Sequence, residues 1–191
     1  MKKCLYLVFI AFVCNCNNVK KLDKINKKVQ TPEYLKSIYF DNEYVLLLKN
    51  EAIEKGIDDS FGRLVLYYSY NPNKEYELLS IAIVMAEKYN NERAYRVIYD
   101  LMIKLYNKGE YSIYFFEKLK NPQKDFAFYY LEKGAEENSL VCIQEIGRLY
   151  RYGIGVDKNI ELAEKYGAIL LKNQPDYDFK RADEYEMKNG L

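Results

Sequence analysis

The stretch that decides the fold is EIGRLYRYGIGVDKNIELAEKY, which runs from Glu145 to Tyr166. On both sides of Gly153 and Gly155, apolar residues recur at intervals of three and four, the period of an amphipathic helix. A dinucleotide-binding Gly-x-Gly follows a strand and needs a third glycine where the next helix opens. Here a helical pattern precedes the glycines and Lys158 occupies the third position. The glycines therefore predict a turn between two helices.

The residues of this turn are those expected of a helix–turn–helix connection. Gly153 is expected to end the first helix with a positive φ, Gly155 to permit the turn, and Asn159 to cap the second helix. The helical period continues from residue 32 onwards, and no run of residues alternates at the period of two that is typical of a strand. Breakers leave helices of about 12–18 residues between them, and they are Asn71-Pro72-Asn73, Asn90-Asn91, Asn121-Pro122, Gly153-Ile154-Gly155 and Gln174-Pro175-Asp176.

The sequence also repeats itself at a spacing of about 36 residues. Residues 127–130 (AFYY) align with residues 163–166 (AEKY), and the pattern Leu-Tyr-x-x-Gly occurs at 105–109 and again at 149–153. Repetition at this spacing indicates stacked helix pairs. We therefore expect an all-α fold, a short α-solenoid of antiparallel helix pairs. The small residues expected to let the two helices of a unit approach closely are Ala127, Gly147 and Ala163.

The segment from Ala127 to Tyr166 resembles the Sel-one-like repeat, a branch of the tetratricopeptide-like superfamily. In that family the first helix carries alanine and tyrosine and ends at a glycine. The second helix carries an alanine and then Leu-Gly-x-x-Tyr, and the loop that follows has Gly-x-Gly-Val-x-x-Asp with the next alanine four residues on. Here Cys142, Ile146 and Asn159 replace the alanine, leucine and aspartate. The matching repeat positions are Ala127, Tyr130, Gly134, Cys142, Gly147, Tyr150, Gly153, Gly155, Asn159, Ala163 and Tyr166.

The N-terminus has the features of an export signal. Lys2 and Lys3 precede an apolar run at residues 5–13, which is shorter than the roughly 20 helical residues that span a bilayer. The segment resembles a bacterial lipoprotein signal, in which a cysteine after the apolar run receives the lipid. Cys16 is the preferred candidate because Val13 suits the third position before it, and Cys14 is the alternative. Cleavage without lipidation also stays open.

These features divide the chain into three parts. Residues 1–16 are expected to be the signal, residues 17–31 a flexible basic tether, and residues 32–191 the helical repeat domain, with its clearest repeat at 125–166. We expect the protein to be exported to the bacterial cell envelope and anchored to a membrane by its N-terminal lipid, facing the periplasm.

Composition restricts the chemistry that is expected. The chain has 191 residues, a formal net charge of +1 and no histidine, so no strong basic surface for nucleic acid is predicted, and Ser-His-Asp and Cys-His catalysis are excluded. Without a histidine partner, Cys142 is expected to be a buried small residue rather than a nucleophile. The carboxylate pairs are expected on solvated helix surfaces, so neither a metal nor a cofactor is predicted, and they are Asp58-Asp59, Glu136-Glu137 and Asp183-Glu184 with Glu186.

Tyrosine is unusually abundant, with 21 copies. In the runs 67–70 and 128–130 the aromatic residues cannot all face inward on a helix, so a few are expected to be exposed for contact. The resemblance implies a non-catalytic scaffold or adaptor that binds a protein partner whose identity the sequence does not give. The alternative is an immunity protein that neutralises a secreted antibacterial toxin. A cell-wall hydrolase with paired carboxylates is the third hypothesis, and the lack of histidine argues against it.

Overall fold

The computed structural model describes residues 42–176, which form seven α-helices and two short 3-10 helices, with no strand among them. The prediction of an all-α fold is therefore confirmed for this part of the chain, while the solenoid type stays a prediction. The α-helices are α1 (Asn42–Lys55), α2 (Asp58–Ser69), α3 (Glu75–Tyr89), α4 (Glu92–Tyr106), α5 (Asn121–Glu136), α6 (Leu140–Tyr152) and α7 (Ile160–Asn173), and the 3-10 helices are Pro72–Lys74 and Ile113–Lys118.

The chain divides into two compact units, residues 1–46 and 47–191. Of the first unit, the structure describes only residues 42–46, which begin α1. All the contacts given below lie within the second unit. The signal with Cys14 and Cys16, the tether and the carboxylates of residues 183–186 lie outside the described residues. No helix of the described part is long and apolar enough to cross a membrane.

The helix boundaries follow the breakers in the sequence. Asn90 ends α3 in the left-handed conformation with a φ of 49°, and the Asn91 side chain caps α4 by accepting the N–H of Ala94. Pro122 lies in the first turn of α5, where its missing N–H costs no helical hydrogen bond. Gly56 follows α1 with a φ of 67°. The second 3-10 helix, Ile113–Lys118, is inserted between α4 and α5.

From α2 onwards, successive α-helices pack against each other, and α4 also contacts α6. Lys104, near the end of α4, bonds to Glu75 at the start of α3 over 3.1 Å, so these two helices run antiparallel. The core is rich in aromatic residues because the tyrosines of several helices point inward. Its largest fully buried side chains are Tyr68, Tyr95, Tyr99, Phe61, Phe116, Leu64, Met85, Ile98, Ile103, Ile113, Leu131 and Ile143.

Gly134 lies inside α5, which continues to Glu136, so the expectation that this glycine ends the helix is not met. It is the site where α5 approaches two neighbouring helices. A Cβ atom at this position would lie 2.6 Å from the Cys142 sulfur on α6 and 2.7 Å from the Tyr95 Cβ on α4. Any larger residue would push the three helices apart, which explains the glycine without a turn.

Gly147 has a similar role between α6 and α7. A Cβ atom added there would lie 3.3 Å from the Tyr166 Cβ and 3.8 Å from the Ala163 oxygen. In the predicted repeat, α5 and α6 belong to one unit and α7 begins the next. The close approach of Gly147 and Ala163 therefore joins two units, where the sequence predicted that it would join the helices of one.

The turn between α6 and α7 has the conformation that its glycines require. Gly153 and Gly155 have φ values of 70° and 68°, and the Asn159 side chain accepts the Leu162 N–H at the start of α7. Gly155 has a second reason to be glycine, because a Cβ there would lie 2.6 Å from the Phe116 ring of the second 3-10 helix. The inserted 3-10 helix thus packs directly on the turn.

Candidate binding groove

A groove of about 520 Å³ opens between the first half of α4 and the first turn of α6. Clefts of this size commonly bind small ligands or short peptide segments. The residues that line it are Glu92, Arg93, Arg96 and Val97 from α4, Ser139 just before α6, Leu140 and Val141 from α6, and Gln174 just after α7.

The surface of the groove is mainly apolar. Val97 and Leu140 are partly buried, whereas 52% of Val141 is exposed. An exposed valine beside two partly buried apolar residues is a surface that a partner's apolar side chain can cover.

Beside the exposed carboxylate of Glu92, Arg93 supplies the exposed positive charge of the groove. Its guanidinium forms an ion pair with Asp58 of α2 over 3.3 Å, and more than half of each side chain is exposed. Exposed pairs of this kind contribute at most about 1 kcal/mol, because water screens both charges. Arg93 therefore lies at the groove with a charge that its neighbour holds only weakly.

Arg96, in contrast, is fixed by two hydrogen bonds and an ion pair. Its Nε donates to Asp100 over 2.7 Å, its Nη1 lies 3.0 Å from a Glu145 oxygen, and its Nη2 donates to the Tyr111 hydroxyl over 3.0 Å. Its guanidinium carbon also lies 5.5 Å from the ring centres of Tyr99 and Tyr111. The groove therefore has a rigid polar element beside its apolar surface.

Glu145 is the centre of this arrangement, with 1% of its surface exposed. Its Oε1 accepts the Tyr111 hydroxyl over 2.5 Å, and its Oε2 accepts from Arg148 over 3.3 Å and forms an ion pair with Arg96 over 3.0 Å. A buried carboxylate is tolerated only when it is paired and hydrogen-bonded in this way. We call Arg96, Asp100, Tyr111, Glu145 and Arg148 the buried ion cluster.

The protonation states of the cluster follow from burial and charge. Burial by itself would lower the pKa of Arg96, but the carboxylates of Asp100 and Glu145 outweigh it and hold that pKa above its ordinary value. Burial raises the pKa of Asp100, and Arg96 opposes the change. Burial also raises the pKa of Tyr111 far above its ordinary value. The Tyr111 hydroxyl therefore stays protonated and donates to Glu145.

Tyr99 lies beside the cluster but is not bonded into it. Its side chain is fully buried, its ring centre is 5.4 Å from that of Phe116, and its hydroxyl has no hydrogen-bond partner among the described residues. A buried hydroxyl without a partner destabilises the fold by about 1–3 kcal/mol. Tyr99 thus contributes through the packing of its ring, whereas the Tyr111 hydroxyl is hydrogen-bonded to the charged groups of Arg96 and Glu145.

The repeat positions predicted from the sequence lie behind the groove rather than in it. Cys142 is fully buried, and burial raises the pKa of its thiol to about 11. Tyr130 is also buried, and the Tyr150 and Tyr166 rings are stacked with their centres 6.2 Å apart. The repeat positions buried in the core or at helix contacts are Ala127, Tyr130, Gly134, Cys142, Gly147 and Ala163.

Two further expectations concern the surface. The pairs Asp58-Asp59 and Glu136-Glu137 lie exposed, and no group of His, Cys, Asp and Glu within residues 42–176 is arranged to hold a metal ion. In the tyrosine runs, Tyr70 and Tyr129 are exposed, with 65% and 52% of their surface accessible, while Tyr68 is fully buried.

The groove and its arginines were not predicted from the sequence. In α6, Glu145 and Arg148 lie on the polar side of an amphipathic pattern, which is typical of solvated positions, yet both are buried. Buried charged residues must pair with other polar groups. Those partners, Arg96 and Tyr111, could not be identified, because nothing in the spacing shows which α4 residue faces α6.

No family model matches the chain, and no curated protein and no solved structure matches it significantly.

Proposed function

We propose that this chain is an exported, lipid-anchored helical-repeat protein that binds another protein as a scaffold or adaptor and does no catalysis. The observation that carries the proposal is the open groove between α4 and α6, which has apolar residues next to a fixed arginine. A partner that covers Val141 and its neighbours removes apolar surface from water, the main driving force of protein association.

The position of the groove supports a binding role. In the predicted repeat, α4 and α6 are the second helices of successive units, and repeat proteins bind their partners on surfaces formed by equivalent helices of stacked units. The two hydrogen bonds and the ion pair of Arg96 fix its side chain before a partner arrives. Binding then orders fewer side chains, which favours affinity.

The location rests on the N-terminal sequence and the resemblance to a lipoprotein signal. Mass spectrometry of the mature N-terminus tests it directly. A diacylated or triacylated cysteine at position 16 or 14 supports the anchor, and a mature chain that begins elsewhere without lipid overturns that part of the proposal. The immunity role stays a prediction, since no described contact favours a toxin over another protein partner.

The binding role is tested by site-specific photocrosslinking in the cells that make the protein. A photoreactive phenylalanine analogue replaces Val141 in the groove, and in a control chain it replaces Leu66, an exposed residue of α2 that does not line the groove. We expect a discrete protein adduct at position 141 and none at position 66. The same adducts at both positions, or none at position 141, would contradict the proposal.

A further inference from the structure

We propose that the C-terminal segment of this chain, residues 177–191, docks along one face of α6 and completes the end of the helical domain. That face, which we call the α6 strip, carries Gln144, Arg148 and Arg151. Its docking is independent of what the groove binds. Three observations support it: the burial of the strip, the place where the chain leaves α7, and the order of charges along the two segments.

The α6 strip faces away from α5. Its three residues are four and three positions apart, the spacing of neighbours on one helix face. Cys142, on α6, lies against Gly134 of α5. Arg151 follows Cys142 by nine residues, which is two and a half helical turns, so it lies on the opposite side of α6. The α-helices described as packing on α6 are chiefly α5 and α7, with α4 at one end of the cluster.

The strip is nevertheless largely covered. Only 3% of Arg148 is exposed, and Gln144 and Arg151 are only partly exposed. Long polar side chains on an uncovered helix face remain mostly in water. Glu145 accepts from the Nη1 of Arg148 over 3.3 Å, and both arginines of the strip take part in interactions besides this one. The burial therefore points to a further part of the chain against the strip.

The chain leaves α7 beside the start of the strip. Gln174, the first residue after α7, lines the groove together with Ser139 and Val141 at the first turn of α6. A segment that continues from there meets α6 at its N-terminal end. The 15 residues from 177 to 191 would span about 22 Å even if they were wound into a helix, and the 13 residues of α6 span about 20 Å. The segment is long enough to follow the whole strip.

The charges of the two segments match in order. Arg148 and Arg151 lie seven and ten residues after Val141 in the first turn of α6. Asp183 and Glu186 lie seven and ten residues after the last described residue. Two helices that start side by side and run in the same direction bring residues at equal spacing to the same level. A carboxylate of the segment would then lie level with each arginine of the strip.

Arg151 is the arginine that selects the sign of the docked segment. Arg148 shares the Glu145 carboxylate with Arg96 inside the buried ion cluster, so much of its charge is already balanced. Glu145 is the only acidic residue of α6, and Arg151 lies six positions beyond it. Three of the four residues from 183 to 186 are acidic, and a carboxylate beside a guanidinium forms a charge-assisted hydrogen bond.

The test is amide hydrogen exchange of the full chain, read by mass spectrometry of the peptides that cover residues 177–191. A synthetic peptide of the same sequence gives the unprotected rate. Arg151→Glu turns the proposed attraction into repulsion, and Glu186→Arg in the same chain restores an opposite pair. The matched control for this rescue is Asp125→Arg, which reverses an exposed carboxylate of α5, the helix on the other side of α6.

In the wild-type chain the segment is expected to exchange at least about tenfold more slowly than the free peptide. Arg151→Glu should speed its exchange about fivefold, because the partly covered pair is lost. Glu186→Arg should reverse most of this change, and Asp125→Arg should not. Exchange within α3 should be the same in all variants, which checks that the fold is kept.

Each of the other outcomes overturns the proposal. Exchange as fast as in the free peptide would show that the segment does not dock. Slow exchange that Arg151→Glu leaves unchanged would place the segment elsewhere on the domain. Protection that rises with protein concentration would show that the segment binds the strip of a second copy. If Arg151→Glu speeds exchange in residues 17–41 instead, that segment covers the strip. The crosslink at position 141 tests the proposed function separately, because it reports on the groove alone.

Discussion

Replacing Glu145 by glutamine removes the charge at the centre of the buried ion cluster and keeps the size of the side chain. In the wild-type chain one Glu145 oxygen accepts the Tyr111 hydroxyl, and the other accepts from Arg148 and is ion-paired with Arg96. Glutamine has one accepting oxygen and one donating NH₂ group. Whichever way the amide is turned, its NH₂ group faces either a hydroxyl that donates or two guanidinium groups.

The magnitude follows from burial. Only 1% of Glu145 is exposed. When glutamine removes the negative charge, water therefore cannot take its place beside the guanidinium groups of Arg96 and Arg148. Breaking a buried ion pair by removing one partner typically destabilises a protein by about 3–5 kcal/mol. Glutamine keeps one hydrogen bond and Asp100 still pairs with Arg96, so we expect the lower end, ~3 kcal/mol. For a domain of this size, that lowers the melting temperature by roughly 10 °C.

The assay is urea unfolding of the full chain, followed by far-UV circular dichroism. The same measurement on Tyr111→Phe, which removes two hydrogen bonds to charged groups, should show a loss of ~2 kcal/mol. The control is Tyr99→Phe, because Tyr99 is a fully buried tyrosine beside the cluster whose hydroxyl has no described partner. Its stability should stay unchanged or rise by up to about 1 kcal/mol.

Two results would refute this reasoning. The first is a loss below about 1 kcal/mol for Glu145→Gln, which would place the carboxylate in contact with water. The second is an equal effect of Tyr99→Phe and Tyr111→Phe, which would show that the hydroxyl bonds of Tyr111 add nothing. A double-mutant cycle between Glu145→Gln and Tyr111→Phe should give a coupling energy of at least ~0.5 kcal/mol, as for residues in one network.

Three other predictions concern the turn, the thiol and an ion pair. Gly155→Ala adds a Cβ 2.6 Å from the Phe116 ring at a positive φ, whereas Gly109→Ala adds one at a positive φ with nothing within 4 Å. Urea unfolding should show that Gly155→Ala destabilises the fold more than Gly109→Ala, by about 1–3 kcal/mol. Equal losses of stability would exclude the ring contact. The Cys142 thiol, buried with a pKa raised to about 11, should react with iodoacetamide at neutral pH only as fast as the chain unfolds, and rapid labelling of its peptide in mass spectra would show that it is accessible. Hydrogen bonds from Lys49 and Tyr68 lower the pKa of Glu77, so its contribution to stability is present above the ordinary glutamate pKa of about 4.3 and is lost as the pH falls. Glu77→Gln should therefore flatten the pH dependence of the free energy of unfolding in urea below about pH 5. An unchanged slope would contradict this.

Helices and turns were predictable because the signals for them are local. The breakers at Asn90-Asn91 and at Gly153 to Gly155 act through the backbone conformation of those residues, and the structure places a helix end at each. The capping role of Asn159 is local in the same sense. A residue that works through its own φ or its own N–H partners can be recognised from sequence spacing alone.

The roles of Gly134 and Gly147 could not be assigned correctly in the same way. A helical glycine that permits a close approach looks in the sequence like one that ends a helix, because both lack a side chain. What distinguishes them is the neighbour: Tyr95 and Cys142 for Gly134, and Tyr166 for Gly147. Those neighbours are fixed by how the helices pack, which involves contacts far apart in the sequence.

The groove was unpredictable for the same reason. Arg93 and Arg96 lie on α4, whereas Val141 lies on α6, 45 residues after Arg96. Their side chains belong to ordinary amphipathic patterns, and the groove exists only because α4 contacts α6 across the intervening α5. Spacing within one helix gives its faces, but it does not give the partner that each face meets.

Arg96 belongs both to the buried ion cluster, which stabilises the fold, and to the wall of the groove, which binds the partner. Behind Arg96, Glu145 and Tyr111 hold the guanidinium in place, so a substitution there should reduce stability and also release the groove wall. In front of it, the exposed Val141 contributes to the groove but little to the core. Val141→Glu should therefore abolish binding at unchanged stability, whereas Glu145→Gln should weaken both. Binding that survives Glu145→Gln unchanged, in chains that are still folded, would show that the fixed arginine has no part in recognition.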